Sequence, residues 1–331
     1  MLRRLMAGLL MLGMLCGMTA AVLAQDKDKD KDKDKPKEGQ KSVLKWKFEK
    51  DKPFYQKMFT KTVQNMKVMN NDVPQTQTQT FFFSWTPTKI EGDKVTLKQK
   101  IEGVIMEIDI GGNKISYDST KEATANNPLA DYFKSLEGSE FELELDLKEL
   151  KVSKISGRDE FLRKLVAANP QMKPLLDTIL SEAALKEMAE PTFAVVPQKE
   201  TAKGEKWSRK TKLAMGPIGT YDNEYTYTYE GNDGKIHNIK VDTKLNYTPP
   251  GEAAGQGGLP FKIKGAKLTS ESKEGKITFD TDKGLLEKST VKITLKGELS
   301  IEIGGTTTKV DLTQDQESVV ETIDSLPWKK K

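Results

Sequence analysis

The chain has 331 residues, 31% charged and 36% hydrophobic, with a formal net charge of +4, one cysteine and one histidine. Such a near balance of charge argues against a dedicated nucleic-acid binder, and one cysteine with one histidine excludes a metal centre built from several nitrogen and sulfur ligands. The apolar share is low for a chain of this length, which predicts strands with one wet face.

Residues 1–24, MLRRLMAGLLMLGMLCGMTAAVLA, place Arg3 and Arg4 before an apolar stretch from Leu5 to Val22 and end on small residues. That order is a secretion signal with cleavage near Ala24, so the mature chain is expected to be secreted or periplasmic. Glycines interrupt the apolar stretch and a very polar segment follows it, so no retained transmembrane helix is expected. Cys16 falls inside the signal and leaves the mature chain without a disulfide or a thiolate. Lipid anchoring at Cys16 is disfavoured, because Leu15 precedes it where a lipoprotein signal carries Gly, Ala or Ser.

Asp26 to Lys35 alternates Asp and Lys, and residues 25–41 read as a disordered, solvated linker. A first β half follows over 42–156, marked by apolar residues at every second position and by turns at regular spacing. Phe81, Phe83 and Trp85 point to one side of a strand ending near Ile90, and Glu91-Gly92-Asp93 turns the chain. The return strand carries Val95, Leu97, Ile101 and Val104 to Ile108, with Gly103 expected at a bulge or a close backbone approach. Gly111-Gly112-Asn113 leads into Lys114 to Asp118, and a second hairpin joins Phe141 to Asp146 with Leu150 to Ile155.

Residues 157–190 read as a helical pair. Phe161, Leu162, Leu165 and Val166 form one stripe, Asn169-Pro170 interrupts it, and Pro174 starts a second helix carrying Leu175, Leu176, Ile179, Leu180, Ala183 and Met188. The bland use of those stripes is to cover one side of a curved sheet; the alternative is a mobile lid. A second β half spans 191–318. Tyr225, Tyr227 and Tyr229 alternate with Thr226 and Thr228, Asn232-Asp233-Gly234 forms a tight turn, and Ile236 to Leu245 returns. A Pro/Gly-rich loop from Thr248 to Pro260 separates these from hairpins turning at Lys273-Glu274-Gly275, Asp282-Lys283-Gly284 and Gly304-Gly305. Residues 319–331 read as a frayed tail ending in Trp328-Lys329-Lys330-Lys331.

Catalytic ingredients are scarce. His237 follows Ile236 on a strand and is expected on the solvent face, and no Gly-x-Ser-x-Gly elbow accompanies it. Asp280-Thr281-Asp282-Lys283-Gly284 opens like a calcium loop, but Gly284 stands where the third oxygen ligand belongs, so a hairpin turn is the expectation. No phosphate-cradling glycine pattern precedes a helix. Paired carboxylates for glycoside cleavage would need aromatic residues gathered near them, and Trp46, Trp85, Trp207 and Trp328 are scattered along the chain. The two aromatic rows, Phe81, Phe83, Trp85 and Tyr225, Tyr227, Tyr229, are the candidate ligand-binding residues; their plain alternative is a β core.

The signal, the charged spacer, the Gly-x-Ile-x-Phe-Asp block at Gly275 to Asp280 with Gly284-Leu285, and the ending Ile301 to Leu312 resemble an uncharacterised domain-of-unknown-function family of exported bacterial proteins. The architecture is also similar to periplasmic lipoprotein carriers and lipid-binding proteins with an open β half-barrel, an analogy of fold alone. The expected class is therefore α+β, mainly antiparallel β: a curved sheet or half-barrel of two β-meander halves under a helical pair. The expected function is an exported, non-catalytic envelope protein, a binding or structural module without cofactor or metal. The alternatives are a carrier of lipid or another apolar ligand in a half-barrel cavity, and a carboxylate-dependent hydrolase. The partner classes left open are an apolar ligand and an envelope component.

Overall fold

A computed structural model describes residues 41–121, 130–251, 259 and 261–329. The signal, all of the Asp/Lys linker but Lys41, most of the loop from Thr248 to Pro260, and the last two lysines lie outside the described residues. Two short strands, β1 (Ser42–Leu44) and β8 (Lys199–Thr201), form a small antiparallel pair. All other strands join one antiparallel sheet.

In chain order its strands are β2 (Phe54–Val68), β3 (Asn71–Glu91), β4 (Lys94–Ile110), β5 (Asn113–Asp118), β6 (Glu140–Asp146), β7 (Lys151–Ser156), β9 (Lys206–Ala214), β10 (Thr220–Asp233), β11 (Ile236–Thr248), β12 (Lys262–Asp280), β13 (Leu285–Ile303) and β14 (Thr306–Ile323). The spatial order is β7-β6-β4-β3-β2-β14-β13-β12-β11-β10-β9, with β5 beside the far half of β4. Nearly every connection is a hairpin. The exceptions are β5 to β6 and β7 to β9, which run through helices, and the two β regions meet because β2 pairs with β14 from Val68↔Val310 to Tyr55↔Ile323.

Alternation sorts the sheet into an inner apolar face and an outer charged one. Along β2, Phe54, Thr60, Thr62, Gln64, Met66 and Val68 are buried while Lys61, Val63, Asn65 and Lys67 are exposed. Cross-strand ion pairs such as Lys288–Glu321 and Lys292–Glu317 lie on the outer face. Exposed pairs of this kind contribute about 0–1 kcal/mol each, so inner-face packing rather than charge holds the sheet.

Among the described residues four α-helices line the open side: α1 (Ala130–Leu136), α2 (Arg158–Ala168), α3 (Lys173–Ile179) and α4 (Glu182–Phe193). The expected second helix is thus two. Ser181, extended at ψ 157°, accepts a hydrogen bond from the Ala184 amide and starts α4 afresh. Arg158 donates to the carbonyls of Leu180 and Asp177 and so caps the end of α3.

Helix α4 bridges the two edges of the sheet. The Val152 amide on edge strand β7 donates to Glu190 Oε1 at 2.9 Å, and the Lys212 amide on edge strand β9 donates to Glu187 Oε2 at 3.2 Å. One helix can reach both edges only if the sheet is rolled, and its carboxylates satisfy edge donors that would otherwise invite another strand.

Two further expectations are corrected and one is met. Lys273-Glu274-Gly275 is not a turn, since β12 runs through it; the register passes from Lys273↔Lys292 to Lys276↔Thr290, leaving one extra residue in a bulge. Gly275 permits this because a Cβ there would stand 2.5 Å from the Val241 carbonyl oxygen. The tail is not frayed up to Lys329: β14 continues to Ile323, Leu326 is buried, and Trp328 meets Phe82 edge to face at 4.9 Å. Gly103 does serve as both a bulge and a close approach. Glu102 is the extra residue beside it, and a methyl group on Gly103 would lie 2.6 Å from the Trp328 ring.

Candidate functional site

The β3 aromatic row faces inward. Phe81, Phe83 and Trp85 stand opposite Met58, Gln56 and Phe54 of β2, and opposite Val104, Ile101 and Gln99 of β4. These side chains form the floor of a cavity of about 170 Å³ beneath the helices. Its roof comprises Leu136 of α1, Phe161 of α2, Leu180, and Leu185, Met188, Ala189 and Thr192 of α4. None of the described lining residues is ionisable. Two polar atoms of its lining residues, Gln56 Nε2 and Trp85 Nε1, are buried without a hydrogen-bond partner among the described residues.

An aromatic cluster adjoins the cavity through Trp85. The Trp46 indole N–H donates to the Phe193 carbonyl at 2.8 Å, and its ring meets Phe193 and Phe279 edge to face and stacks on Phe48. Trp85 meets Phe193 edge to face at 5.6 Å. Two tryptophans far apart in sequence thus share one cluster, contrary to the scatter seen along the chain.

The tyrosine row lies elsewhere. Strand β10 is next to the β9 edge, six places from β3 in the sheet, so Tyr225, Tyr227 and Tyr229 do not join the β3 row around this cavity. Tyr227 stacks on Trp207, and burial pushes the hydroxyls of Tyr225 and Tyr227 far above the usual tyrosine range. Tyr229 is tied to His237 Nδ1 at 2.8 Å and to Ser42 Oγ at 3.1 Å. These contacts are those of a core.

His237 is buried, not solvent-facing. Its parity is that of Ile239 and Val241, both fully buried, whereas Ile236 at the strand start is only half-buried. Desolvation holds its imidazole below the usual histidine range, with the Asp280 carboxylate opposing. Asp280 itself accepts from the Asp282 and Lys283 amides and pairs with Lys235, so its carboxylate is spent on the hairpin turn.

Beyond Met58 and Phe81 the inner face changes character. Three rows run across β14, β2 and β3: Gln314-Gln64-Gln75, Gln316-Thr62-Gln77 and Ser318-Thr60-Gln79. All nine residues are buried, at 1–7% exposure. Apolar residues frame the block, Ile110, Ile108 and Met106 on β4 and Leu295, Ile293 and Val291 on β13. Eight of its side-chain polar atoms have no hydrogen-bond partner among the described residues: Thr60 Oγ1, Thr62 Oγ1, Gln64 Oε1, both of Gln75, both of Gln77, and Gln79 Nε2. Each such atom left dry costs about 1–3 kcal/mol, and a whole domain has only about 5–15 kcal/mol of net stability. The block therefore needs polar company inside the fold.

Sequence reasoning missed this block because it tracked apolar alternation. The signal that would have found it is identity at every second residue: Gln75, Gln77 and Gln79 in one strand, Gln314 and Gln316 in another.

A family model described as a family of unknown function (DUF6263) matches residues 92–286. No curated protein matches. Among solved structures, one titled for lipid-protein interactions in lipovitellin is 9% identical with a TM-score of 0.43, and the alignment covers 84% of this chain but only a quarter (25%) of that one. The Pseudomonas aeruginosa protein OccK5 (OpdH) is 8% identical with a TM-score of 0.21, covering 83% of this chain and 99% of that one. An outer membrane channel from Pseudomonas putida F1 is 6% identical with a TM-score of 0.21, covering 88% of this chain and all (100%) of that one. The family model covers more than half of the sequence, from the β3–β4 turn to the start of β13, and the chain belongs to this family of unknown function.

Proposed function

We propose that this protein is an exported, non-catalytic binding module that holds an apolar molecule between the inner face of its sheet and its helices. The observation that carries the reading is the cavity itself. It is lined by Phe81, Phe83, Trp85 and helical aliphatic residues, and no described side chain around it can donate or take a proton near neutral pH. A cavity of about 150 Å³ is enough for a benzene ring, so this one suits a ring or the end of a hydrocarbon chain. The exported address rests on the signal pattern of residues 1–24.

The test uses the mature chain recovered from the extracytoplasmic fraction of its host. Native mass spectrometry should find a co-purifying non-polar molecule, and the uncharged dye Nile red should bind with enhanced emission. Ala189→Trp places an indole in the cavity from α4 and should weaken dye binding by about tenfold or more, with the melting transition as the check on folding. Full-strength dye binding by the folded variant, or none by the wild type, refutes the reading.

A further inference from the structure

We propose that the Gln/Thr block is the head-group site for an uncharged amphiphile, a molecule whose hydrocarbon end occupies the cavity and whose hydroxyl or amide head group lies over β2, β3 and β14. The inference rests on the binding reading above and adds the chemistry of the ligand.

Contiguity is the first argument. Gln56 and Met58 line the cavity, and Thr60, Thr62 and Gln64 continue along the same face of the same strand. At about 3.3 Å per residue, the step from Met58 to Thr62 is about 13 Å, so one molecule of a medium acyl chain plus a head group spans both zones. Composition is the second. Glutamine side chains both donate and accept, and the unpartnered atoms include donors on Gln75, Gln77 and Gln79 as well as acceptors on Gln64, Gln75 and Gln77. A head group that offers both functions satisfies them, which hydroxyls and amides do and a bare hydrocarbon does not.

Charge is the third argument. The block contains no ionisable residue, and the charged residues near it on its strands, such as Lys61, Lys67, Asp311, Asp315 and Glu317, alternate onto the opposite face. An anionic or cationic head group would enter a site without a counter-charge and lose its hydration. The surrounding frame of Ile108, Met106, Ile293 and Val291 makes that loss larger. A neutral head group keeps its hydrogen bonds and pays no such penalty.

The experiment compares displacement of Nile red by monodecanoylglycerol and by decanoate, which share a chain and differ in head group and charge. At neutral pH the wild type should prefer the neutral probe by about tenfold or more. Gln75→Leu/Gln77→Leu should bring that preference close to unity while leaving the affinity for Nile red unchanged, with the melting transition confirming the fold. Equal displacement by the two probes, or a preference untouched by the double substitution, overturns the head-group assignment while leaving the apolar cavity in place. Loss of the preference together with higher affinity for both probes would identify the block as a solvated polar interior and also overturn it. Absence of dye binding by the wild type refutes the cavity reading, and this assignment falls with it.

Discussion

Removing the Glu190 carboxylate tests how the rolled sheet is held. Glu190 Oε1 accepts from the Val152 amide on one edge of the sheet, while Glu187 on the same helix accepts from Lys212 on the other. A hydrogen bond to a charged acceptor contributes about 1.5–3 kcal/mol. Burial works against it, since desolvation and the neighbouring Glu187 carboxylate push the Glu190 carboxyl above the usual carboxylate range. Glu190→Ala should therefore cost about 1–2 kcal/mol, or about 2–4 °C in melting temperature for a chain of this size. Glu190→Gln keeps the carbonyl acceptor and removes the buried charge, so it should equal or exceed the wild type at neutral pH.

The pH dependence has a defined sign. A carboxyl whose folded-state pKa is raised binds its proton more tightly when folded, so its contribution is favourable below the ordinary carboxylate pKa and is lost as pH rises through the folded-state value. The advantage of Glu190→Gln should thus appear at neutral pH and vanish in acid below about pH 4. Thermal melts across pH, with hydrogen exchange at the Val152 amide, make the measurement. If Glu190→Gln is as destabilised as Glu190→Ala, or if Glu190→Ala leaves both the melt and the exchange unchanged, the edge-bridging account is wrong.

Two further outcomes follow from close contacts. Gly297, on β13 at φ +147°, would carry a Cβ 1.9 Å from the Lys267 carbonyl oxygen, so Gly297→Ala should cost about 3 kcal/mol or more, read as a lower urea midpoint; a shift within error removes the steric argument. Trp328→Ala should cost about 1–2 kcal/mol, less than a fully buried tryptophan, because the ring is 36% exposed while resting on Phe82 and Gly103. An unchanged melting curve would return the tail to a dispensable end.

Strand existence was legible in the residues because local chemistry carries it. Asn232-Asp233-Gly234 and Gly304-Gly305 can turn where β-branched neighbours cannot, and Phe81, Phe83 and Trp85 share a face by period two alone. Parity at a strand end was not legible: Ile236 and His237 compete for the inner face, and only the register of β11 on β10 and β12 settles it for His237. The break at Ser181 was similarly hidden. The apolar stripe continues across it, and the Arg158 side chain that caps α3 comes from another helix.

By itself, then, the sequence determined an antiparallel meander with a helical insert and an aromatic inner row, since turn residues and alternation act over a few neighbours. The tertiary structure alone decided the pairing of β2 with β14, the reach of α4 to both sheet edges, and the gathering of nine polar side chains from three strands into one buried block. Those outcomes depend on which distant strands become neighbours. Alternation of Gln with Thr looks equally polar on both faces until register and curvature bury one of them.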